Sequence, residues 1–575
     1  MTAIEKLKSC ATLTDLAILL GIKAASLSYI LYKVPDSDKY YEFTIPKRSG
    51  GTRTIHAPVP ALKSVQRRLA NYLSLCLEEI SQKREIEKQC VVSHGFRKGF
   101  SIVTNARRHR NRRYVFNVDL REFFPSIHFG RVRGYFNSNA DFLLNIKIST
   151  IIAQIACRNG TLPQGSPCSP IISNLIGNIL DVHLSKLASG ALCTYTRYAD
   201  DLSFSTNLGA FPSSIAVPST VSLDTWEIAP ELRSRIGRAG FLVNEAKTRM
   251  SIRNSRQQVT GLVVNKVVNV PNEYYKTTRA MCDRLFRTGA FDYEYGSRVP
   301  APERVLEPLK GRLSYIFNVK HPIPEDKPRE RERILGWPKD VPGIYRLYRQ
   351  FLDYKYFYGI SRPTILAEGP TDGIYLRAAI RSLYASFPSL ALRVEGGIRL
   401  IPHLYKYNQT SHAVHELSGG FGDFSALIAR YKTSLSAFTA PKPTAPVIIL
   451  IDNDSGAKPI YSTIKTVTKS SSVIDGKLQF YHIHGNLYVV PLPLQGKVEV
   501  DIESFLSPIA VNAILAGKKL FKGTGGFDPS VHVTKAALAD RIVKQPPGAV
   551  DFTGFAPILE AIVAVQDDYG KRGWI

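Results

Sequence analysis

The stretch CTYTRYADDLSFST, residues 193–206, constrains this chain more than any other. Polar and apolar residues alternate on both sides of Tyr198-Ala199-Asp200-Asp201, which predicts two strands joined by a tight turn. The two aspartates would lie at the tip of this hairpin, where adjacent carboxylates repel each other. A divalent cation above them would relieve the repulsion, and a solvated turn is the alternative.

The length and net charge of the chain indicate how many domains to expect and what kind of partner it binds. At 575 residues the chain is too long for one hydrophobic core, and we expect it to divide into roughly three or four domains. Its formal net charge of +27 predicts a polyanionic partner, for which nucleic acid is the obvious candidate.

Membrane insertion and secretion are not expected. No run of about eighteen apolar residues exists, and MTAIEKLKSC lacks the apolar stretch of a signal peptide. The seven cysteines are an odd number without CxxC spacing, which favours reduced thiols and argues against zinc. We therefore predict a cytoplasmic protein.

Two elements precede the YADD stretch near the start of the chain. Residues 1–36 have helical periodicity; a nucleic-acid-binding helix-turn-helix is an alternative, but the scarcity of outward basic residues favours a packing module. Residues 43–58 predict a hairpin with a Gly50-Gly51 turn. Lys47 and Arg53 on that hairpin could bind a triphosphate, although a hairpin without a ligand would have the same pattern.

A third carboxylate follows a basic cluster. The arginines between 107 and 113 are dense enough to bind phosphates. Tyr114 to Val118 then predicts a short strand that ends in Asp119, and this carboxylate could complete a site for two metal ions.

The order FNVDLREFF, LPQGSPCSP, YADD and GFLVNEAKTR resembles the ordered motifs of reverse transcriptases. The resemblance implies that Asp119, Asp200 and Asp201 are catalytic residues that bind two Mg²⁺ ions. It also implies roles in dNTP binding for Lys47, Arg53, Phe124, Gln164 and Lys247. Phe124 would exclude a ribose 2′ hydroxyl, and Lys247 would donate a proton near the leaving group.

Two shorter elements narrow the resemblance to retron reverse transcriptases. Residues 105–109 match an NAxxH element, and Val259-Thr260-Gly261 match a VTG element. The resemblance implies that Asn105, His109, Val259, Thr260 and Gly261 take part in RNA binding. It further implies a noncoding RNA that is both template and primer, synthesis from an internal guanosine 2′ hydroxyl, and a branched RNA–DNA product (msDNA).

The pattern changes to alternating strands and helices in the last third of the chain. The strand TILAE ends in Glu368 and precedes a helix that opens near Asp372, and the apolar run from Val447 to Ile451 ends in Asp452-Asn453-Asp454. Because ligands gather at the carboxyl ends of parallel strands, these acids could meet at a metal. Glu503 is a further candidate ligand, although a helix-start carboxylate is the favoured interpretation.

This second constellation resembles the TOPRIM domain of primases, topoisomerases and OLD-family nucleases. The resemblance implies that Glu368 is catalytic and that Glu368, Asp372, Asp452 and Asp454 bind Mg²⁺. The fold class is therefore a multidomain α+β and α/β chain, a right-hand polymerase followed by a Rossmann-like TOPRIM domain. The predicted domains are an N-terminal helical segment (1–36), fingers and palm (37–270), thumb (271–320), linker and connecting helix (321–361), TOPRIM domain (362–510) and C-terminal extension (511–575).

The whole chain resembles a retron reverse transcriptase fused to a toxic TOPRIM effector of anti-phage defence. This implies as partners the cognate noncoding RNA, its msDNA, dNTPs and host RNase H, with a homo-oligomer as an option, no membrane partner and no assigned substrate for the TOPRIM nuclease. One alternative is a mobile-element, group II intron-like enzyme whose TOPRIM domain processes integration intermediates. In another, the TOPRIM domain is only a nucleic-acid-binding module.

Overall fold

Contacts divide the chain into two units, Met1–Pro271 and Asn272–Ile575. The computed structural model describes residues 1–47, 50–84, 91–219, 225–292, 306–320, 343–515, 517–521, 528–543, 545 and 549–574. The predicted linker up to 342, residues 293–305 of the predicted thumb and parts of the predicted extension therefore lie outside the described residues.

The first unit combines helices with short antiparallel strands. Its helices are α1 (Ala3–Lys8), α2 (Leu13–Leu19), α3 (Ala24–Tyr32), α4 (Pro60–Lys83), α5 (Ile102–Arg108), α6 (Phe129–Ser138), α7 (Ile146–Ala156), α8 (Ser169–Gly190) and α9 (Pro230–Arg238). Its strands are β1 (Tyr40–Pro46), β2 (Thr52–Pro58), β3 (Tyr114–Arg121), β4 (Thr194–Tyr198), β5 (Asp201–Thr206), β6 (Ala216–Pro218), β7 (Trp226–Ile228), β8 (Leu242–Ile252), β9 (Gln258–Val259) and β10 (Leu262–Val263).

A four-stranded antiparallel sheet carries the YADD turn. Its order is β4-β5-β3-β8, so β3 lies between the YADD hairpin and the later strand β8. Phe116 and Phe204, which are register partners on β3 and β5, are fully buried in the core of this unit. The predicted YADD hairpin and the predicted strand from Tyr114 are both confirmed.

The N-terminal helices and the first hairpin also match their predictions. Leu7, Leu16 and Leu27 are buried in the core of the first unit, which agrees with the packing-module interpretation. Strands β1 and β2 pair antiparallel around the predicted turn. Within the described ranges, no single helix is long and apolar enough to cross a membrane; α2 and α3 pass that test only as a pair bent by 117°.

The second unit contains the α/β part of the chain. Its helices are α10 (Asn272–Thr288), α11 (Leu306–Lys320), α12 (Gly343–Asp353), α13 (Asp372–Ser382), α14 (Phe421–Leu435), α15 (Lys458–Thr468), α16 (Pro508–Leu515), α17 (Lys535–Val543) and α18 (Ala556–Arg572). Its strands are β11 (Thr364–Ala367), β12 (Ala391–Val394), β13 (Gly397–Leu400), β14 (His403–Leu404), β15 (Val447–Ile451), β16 (Tyr481–His484), β17 (Leu487–Pro491), β18 (Lys519–Phe521) and β19 (His532–Thr534).

A mostly parallel sheet organises this unit. Its order is β14-β11-β15-β17-β16, in which β14, β11, β15 and β17 are parallel and β16 is an antiparallel edge. Every residue of β15 is buried, as the continuous apolar run predicts for a central strand.

The predicted thumb and the predicted extension both pack within this second unit. The rings of Phe286 on α10 and Phe438 lie 5.2 Å apart, and the Thr439 amide donates to the Phe286 carbonyl at 3.0 Å. Leu538 on α17 and Leu559 on α18 belong to the same buried core as Ile448 of the sheet. The extension therefore completes the core of the α/β sheet.

A buried ion pair supports the YADD turn from behind. The Arg197 guanidinium has no exposed surface and donates to the two carboxylate oxygens of Asp181 on α8 at 2.8 and 2.7 Å. It also donates to the Ala199 carbonyl at 3.3 Å, and a Cβ added to Gly95 would lie 2.7 Å from the Ala199 nitrogen. The Arg197–Asp181 ion pair thus holds the turn through the hydrogen bond from Arg197 to the backbone carbonyl of Ala199.

Replacing Asp181 with Asn should destabilise the sheet strongly, because the Arg197 charge would stay buried without its counter-charge. We expect a loss of about 3–5 kcal/mol in the opening free energy of β4 and β5, measured by native-state hydrogen exchange. Glu231→Gln is the matched control, because it breaks the more exposed Glu231–Arg235 pair, for which about 0–1 kcal/mol is expected. Equal losses in both variants would contradict the supporting role.

Candidate active sites

The residues predicted to bind metal and nucleotide in the first unit line one cavity of about 1580 Å³. They are Lys47, Arg53, Asp119, Phe124, Gln164, Asp200, Asp201 and Lys247. The fold therefore brings the fingers hairpin, the two central strands and β8 to one place.

The three aspartates of this cavity are neighbours in the sheet. Asp119 and Asp201 are register partners on β3 and β5, and the Leu120 amide donates to the Asp200 carbonyl at 3.0 Å. Burial raises the pKa of Asp200, and burial with the charges of Asp200 and Asp119 raises the pKa of Asp201 to about 7. The mutual repulsion expected at the turn is present, so a bound cation would be favourable.

Asp119 has two partners from β8. Lys247 Nζ lies 3.0 Å from one carboxylate oxygen of Asp119, and Asn244 Nδ2 donates to the other at 2.9 Å. Lys247 is therefore a counter-ion of Asp119 in this structure, and its predicted role as a proton donor stays a prediction. Sequence reasoning missed Asn244; only the strand register, which places it opposite Asp119, identifies it.

The fingers hairpin meets the LPQG turn through its backbone. The His56 amide donates to the Gln164 carbonyl at 2.8 Å, and a Cβ on Gly165 would lie 2.7 Å from the His56 carbonyl oxygen. Gly165 has φ +120°, a conformation that favours glycine. Gln164 is thereby held beside the hairpin that carries Lys47 and Arg53.

A further cation in the same cavity was not predicted. Arg158 lines the cavity, donates to Glu42 at 3.2 Å and contacts the His56 ring. Arg158 follows a helix without any motif around it, so only the fold shows its position.

Phe124 lies near Phe96, with 6.1 Å between the ring centres.

The NAxxH and VTG elements pack against each other. Thr260 Oγ1 donates to the Ile102 carbonyl of α5 at 3.3 Å. Asn105 and His109 are fully buried: Thr196 Oγ1 donates to Asn105 at 2.5 Å, and the His109 ring contacts Thr196 and Ser205 at 2.7 and 2.8 Å. Burial lowers the pKa of His109 to about 3, so the ring is neutral.

This burial limits how the predicted RNA-binding residues could contact an RNA. Asn105, His109 and Val259 expose no side-chain surface to an RNA, whereas Thr260 is half-buried and Gly261 is exposed. Any effect of the three buried side chains on RNA binding is therefore indirect, through the sheet and the β9–β10 turn that they support.

The acids of the second unit also meet, at the carboxyl edge of its sheet. Glu368 follows β11 and Asp452 follows β15, its parallel neighbour, and the Asp452 amide donates to Glu368 Oε2 at 3.2 Å. Burial raises the pKa of Glu368 to about 7, and burial with the Glu368 charge raises that of Asp452 to about 8.

Asp372 and Asp454 border the same edge and also hold turns. The Gly369 amide donates to Asp372 at 2.6 Å, and the Gly456 amide donates to Asp454 at 2.9 Å. Burial also raises the pKa of Asp372. A Cβ on Gly419 would lie 2.2 Å from the Glu368 carbonyl oxygen, so the Gly419-Gly420 turn packs directly on this strand end.

Glu503 and Lys535 belong to this acidic cluster as well. Glu503 lies at the start of a short helix, as favoured from the sequence, yet its charge also raises the pKa of Asp452. Lys535 Nζ lies 2.9 Å from Glu503 Oε2, while Glu503 Oε1 is buried and has no hydrogen-bond partner among the described residues. Lys535 lies in the extension, where no motif marked it.

The donor chemistry of both clusters fits Mg²⁺, which prefers carboxylate oxygens. In the described part of the chain, however, no group of three or more His, Cys, Asp or Glu side chains is arranged to hold a metal ion as it stands. In each cluster a lysine already pairs with one carboxylate that a bound cation would also contact. These pairs are Lys247 with Asp119 and Lys535 with Glu503. Metal binding therefore requires side-chain rearrangement at each cluster.

Replacing Asp452 with Asn should stabilise the metal-free protein at high pH. The folded pKa lies above the unfolded value of about 3.9, so stability falls as pH rises from about 4 to about 8. At about pH 9 we expect a higher melting temperature for the second unit, by about 2–4 °C per kcal/mol, and a smaller gain near pH 6.

Thermal unfolding with and without Mg²⁺ checks this prediction. Mg²⁺ should stabilise the wild type more than the variant, and Asp475→Asn, at an exposed acid of the same unit, is the matched control. Equal stabilisation of wild type and Asp452→Asn by Mg²⁺ would count against a metal at this cluster.

Comparison with known proteins identifies relatives of this chain. Residues 45–266 match the model described as reverse transcriptase (RNA-dependent DNA polymerase). Retron Mx65 reverse transcriptase from Myxococcus xanthus is 33% identical over 292 residues, which cover 48% of this chain and 63% of that protein. Retron Ec86 reverse transcriptase from Escherichia coli is 30% identical over 310 residues, which cover 53% of this chain and 84% of that protein.

This chain thus spans a little under two thirds of the Mx65 protein. A solved structure of telomerase from Candida albicans with a fragment of telomeric RNA aligns with 55% of this chain and 64% of that chain, at 12% identity and a TM-score of 0.29. On the extent of its identity with the Ec86 protein, together with the matched model, the chain belongs to the retron reverse transcriptases.

Proposed function

We propose that this chain is an RNA-directed DNA polymerase that copies a cognate noncoding RNA into branched msDNA. The observation that carries the proposal is the single cavity of the first unit, in which the acidic, basic and aromatic residues of the four motifs meet. Family membership supports the same activity.

The residues of this cavity would have separate roles in binding metal, binding nucleotide and transferring a proton. Asp119, Asp200 and Asp201 would hold Mg²⁺, which supplies activation of the attacking hydroxyl and stabilisation of the leaving pyrophosphate. Lys47 and Arg53 bind the triphosphate, and Phe124 blocks a ribose 2′ hydroxyl. Lys247 leaves Asp119 and donates a proton near the leaving group.

Asp201→Asn should abolish primer extension. The outer-shell partners of a metal ligand alone account for about 10–100-fold in activity, so loss of a ligand should lower the rate by more than about 100-fold. The measurement is extension of a primed RNA template by the purified chain with dNTPs and Mg²⁺. Glu122→Gln is the control, because Glu122 is an exposed carboxylate of the same cavity outside the cluster, and little change is expected.

We further propose that the second unit carries a TOPRIM domain with Mg²⁺-dependent nuclease activity, which is the toxic effector of an anti-phage system. Five carboxylates and Lys535 at one sheet edge support this assignment. The raised pKa values of Glu368, to about 7, and Asp452, to about 8, suit proton transfer and cation binding near neutral pH. Glu368 would act as the general acid or base.

The msDNA is proposed to restrain this effector until phage activity damages the msDNA. The covalent fusion of the two activities and the net charge of +27 motivate this proposal. Asp200→Ala combined with Asp201→Ala should remove msDNA and arrest growth, and addition of Glu368→Ala should restore growth. Cell growth and msDNA yield are the measurements, with Glu368→Ala alone as the control that keeps msDNA.

Two results would count against these proposals. Normal growth of the Asp200→Ala, Asp201→Ala cells would contradict restraint by msDNA. Full phage protection by Glu368→Ala would instead favour a TOPRIM domain that only binds nucleic acid.

A further inference from the structure

A cavity of about 980 Å³ lies within the second unit beside Glu368. Ala367 and Gly369, the two chain neighbours of Glu368, line it, and so do Lys406 and Tyr407, which follow β14. Because β14 and β11 are parallel neighbours, these two segments leave the sheet at the same edge. The cavity therefore lies at the same sheet edge as the acidic cluster, and it is lined by the chain neighbours of Glu368 rather than by the carboxylates of the cluster.

Helix α13 forms one long wall of this cavity. Gly373, Arg377 and Arg381 recur at the spacing of one helix face, and all three line the cavity. From Gly373 to Arg381 the helix rises roughly 12 Å at about 1.5 Å per residue. The cavity thus extends away from the acidic cluster along the helix.

The charge of the lining favours an anion. Arg377, Arg381 and Lys406 line the cavity, and none of them forms an ion pair with another described residue. Asp540 is the one carboxylate in the described lining. Unpaired guanidinium and ammonium groups of this kind bind phosphate.

Aromatic rings complete the lining. Tyr405, Tyr407 and Phe552 line the same cavity; Tyr405 and Phe552 are mostly buried, and Tyr407 is partly exposed. The Tyr407 hydroxyl donates to the Ala367 carbonyl at 2.5 Å, which holds this side chain next to the residue that precedes Glu368. Aromatic rings beside cations are the combination that binds unpaired bases and their phosphates without sequence preference.

We propose that this cavity binds one or two nucleotides of a single nucleic-acid strand, next to the phosphate at which the acidic cluster acts. The volume lies at the upper end of the range of about 300–1,000 Å³ for small-ligand sites, which suits one or two nucleotides of one strand. The inference rests on the proposed nuclease-like function and names its substrate class as single-stranded nucleic acid.

Site-specific photocrosslinking tests the proposal. The full chain in EDTA is irradiated with a single-stranded oligothymidylate that contains one 4-thiothymidine, and the adducts are mapped by mass spectrometry. Adducts are expected on peptides that contain Tyr405, Tyr407 or Phe552, and none of these should form with the same strand in a duplex. An equal yield from the duplex would overturn the single-strand assignment.

Removing two positive charges from the cavity lining is compared with removing two from exposed positions elsewhere. Arg377→Ala with Arg381→Ala should lower the affinity at this site about tenfold and make the slope of log K against log salt shallower by about 1.4. Lys432→Ala with Lys465→Ala removes the same charge from exposed positions outside the lining, so no change is expected. Lys406→Ala, at an exposed position, is the second variant should the arginine pair not fold. Unchanged adducts in both cavity variants would overturn the proposal.

Two further experiments complete the test. The first distinguishes a free nucleotide from a nucleic-acid strand as the ligand, and the second distinguishes the cavity proposal from the nuclease proposal. Competition by thymidine monophosphate as effective as that by the oligonucleotide would overturn a strand subsite in favour of a free-nucleotide site. Adducts at the cavity without Mg²⁺-dependent cleavage of the oligonucleotide would keep the cavity and refute the nuclease. Cleavage that Glu368→Gln abolishes, without adducts at the cavity, would keep the nuclease and refute the cavity.

Discussion

Carboxylates that are buried together repel each other, and both acidic clusters of this chain depend on how that repulsion is offset. At the acidic cluster of the first unit, Lys247 and Asn244 hold Asp119, while the pKa of Asp201 is raised to about 7. At the second cluster, Lys535 holds Glu503, while the pKa of Asp452 is raised to about 8. Each cluster therefore has one lysine of its own and retains carboxylates that gain from a bound cation.

A layer of contacts beneath the first cluster supports it. Arg197 precedes the YADD turn and ties it to Asp181, and the segment around Gly95 packs on the turn's backbone. The short elements that mark the retron family lie in the same layer, because His109 contacts both Thr196 and Ser205 of the YADD hairpin. A family signature of this kind reflects a packing requirement of the sheet.

The second unit uses a different sheet for a similar purpose. Parallel strands place Glu368 and Asp452 side by side without a hairpin, because the carboxyl ends of neighbouring parallel strands share one edge. The predicted extension takes part in this arrangement. Its helices fill the core of the sheet, and its Lys535 is the cation of the cluster.

Local sequence patterns were enough to predict the strands that carry both sites and the acidic residues at their ends. Alternation around YADD predicted β4 and β5, and the apolar run before Asp452 predicted β15, because these patterns depend only on local periodicity. Tertiary structure alone decided which side chains meet. Asn244 and Lys535 have no local signal and act through register and packing across long sequence separations, and His109, at the end of α5, is buried against β4 and β5 for the same reason.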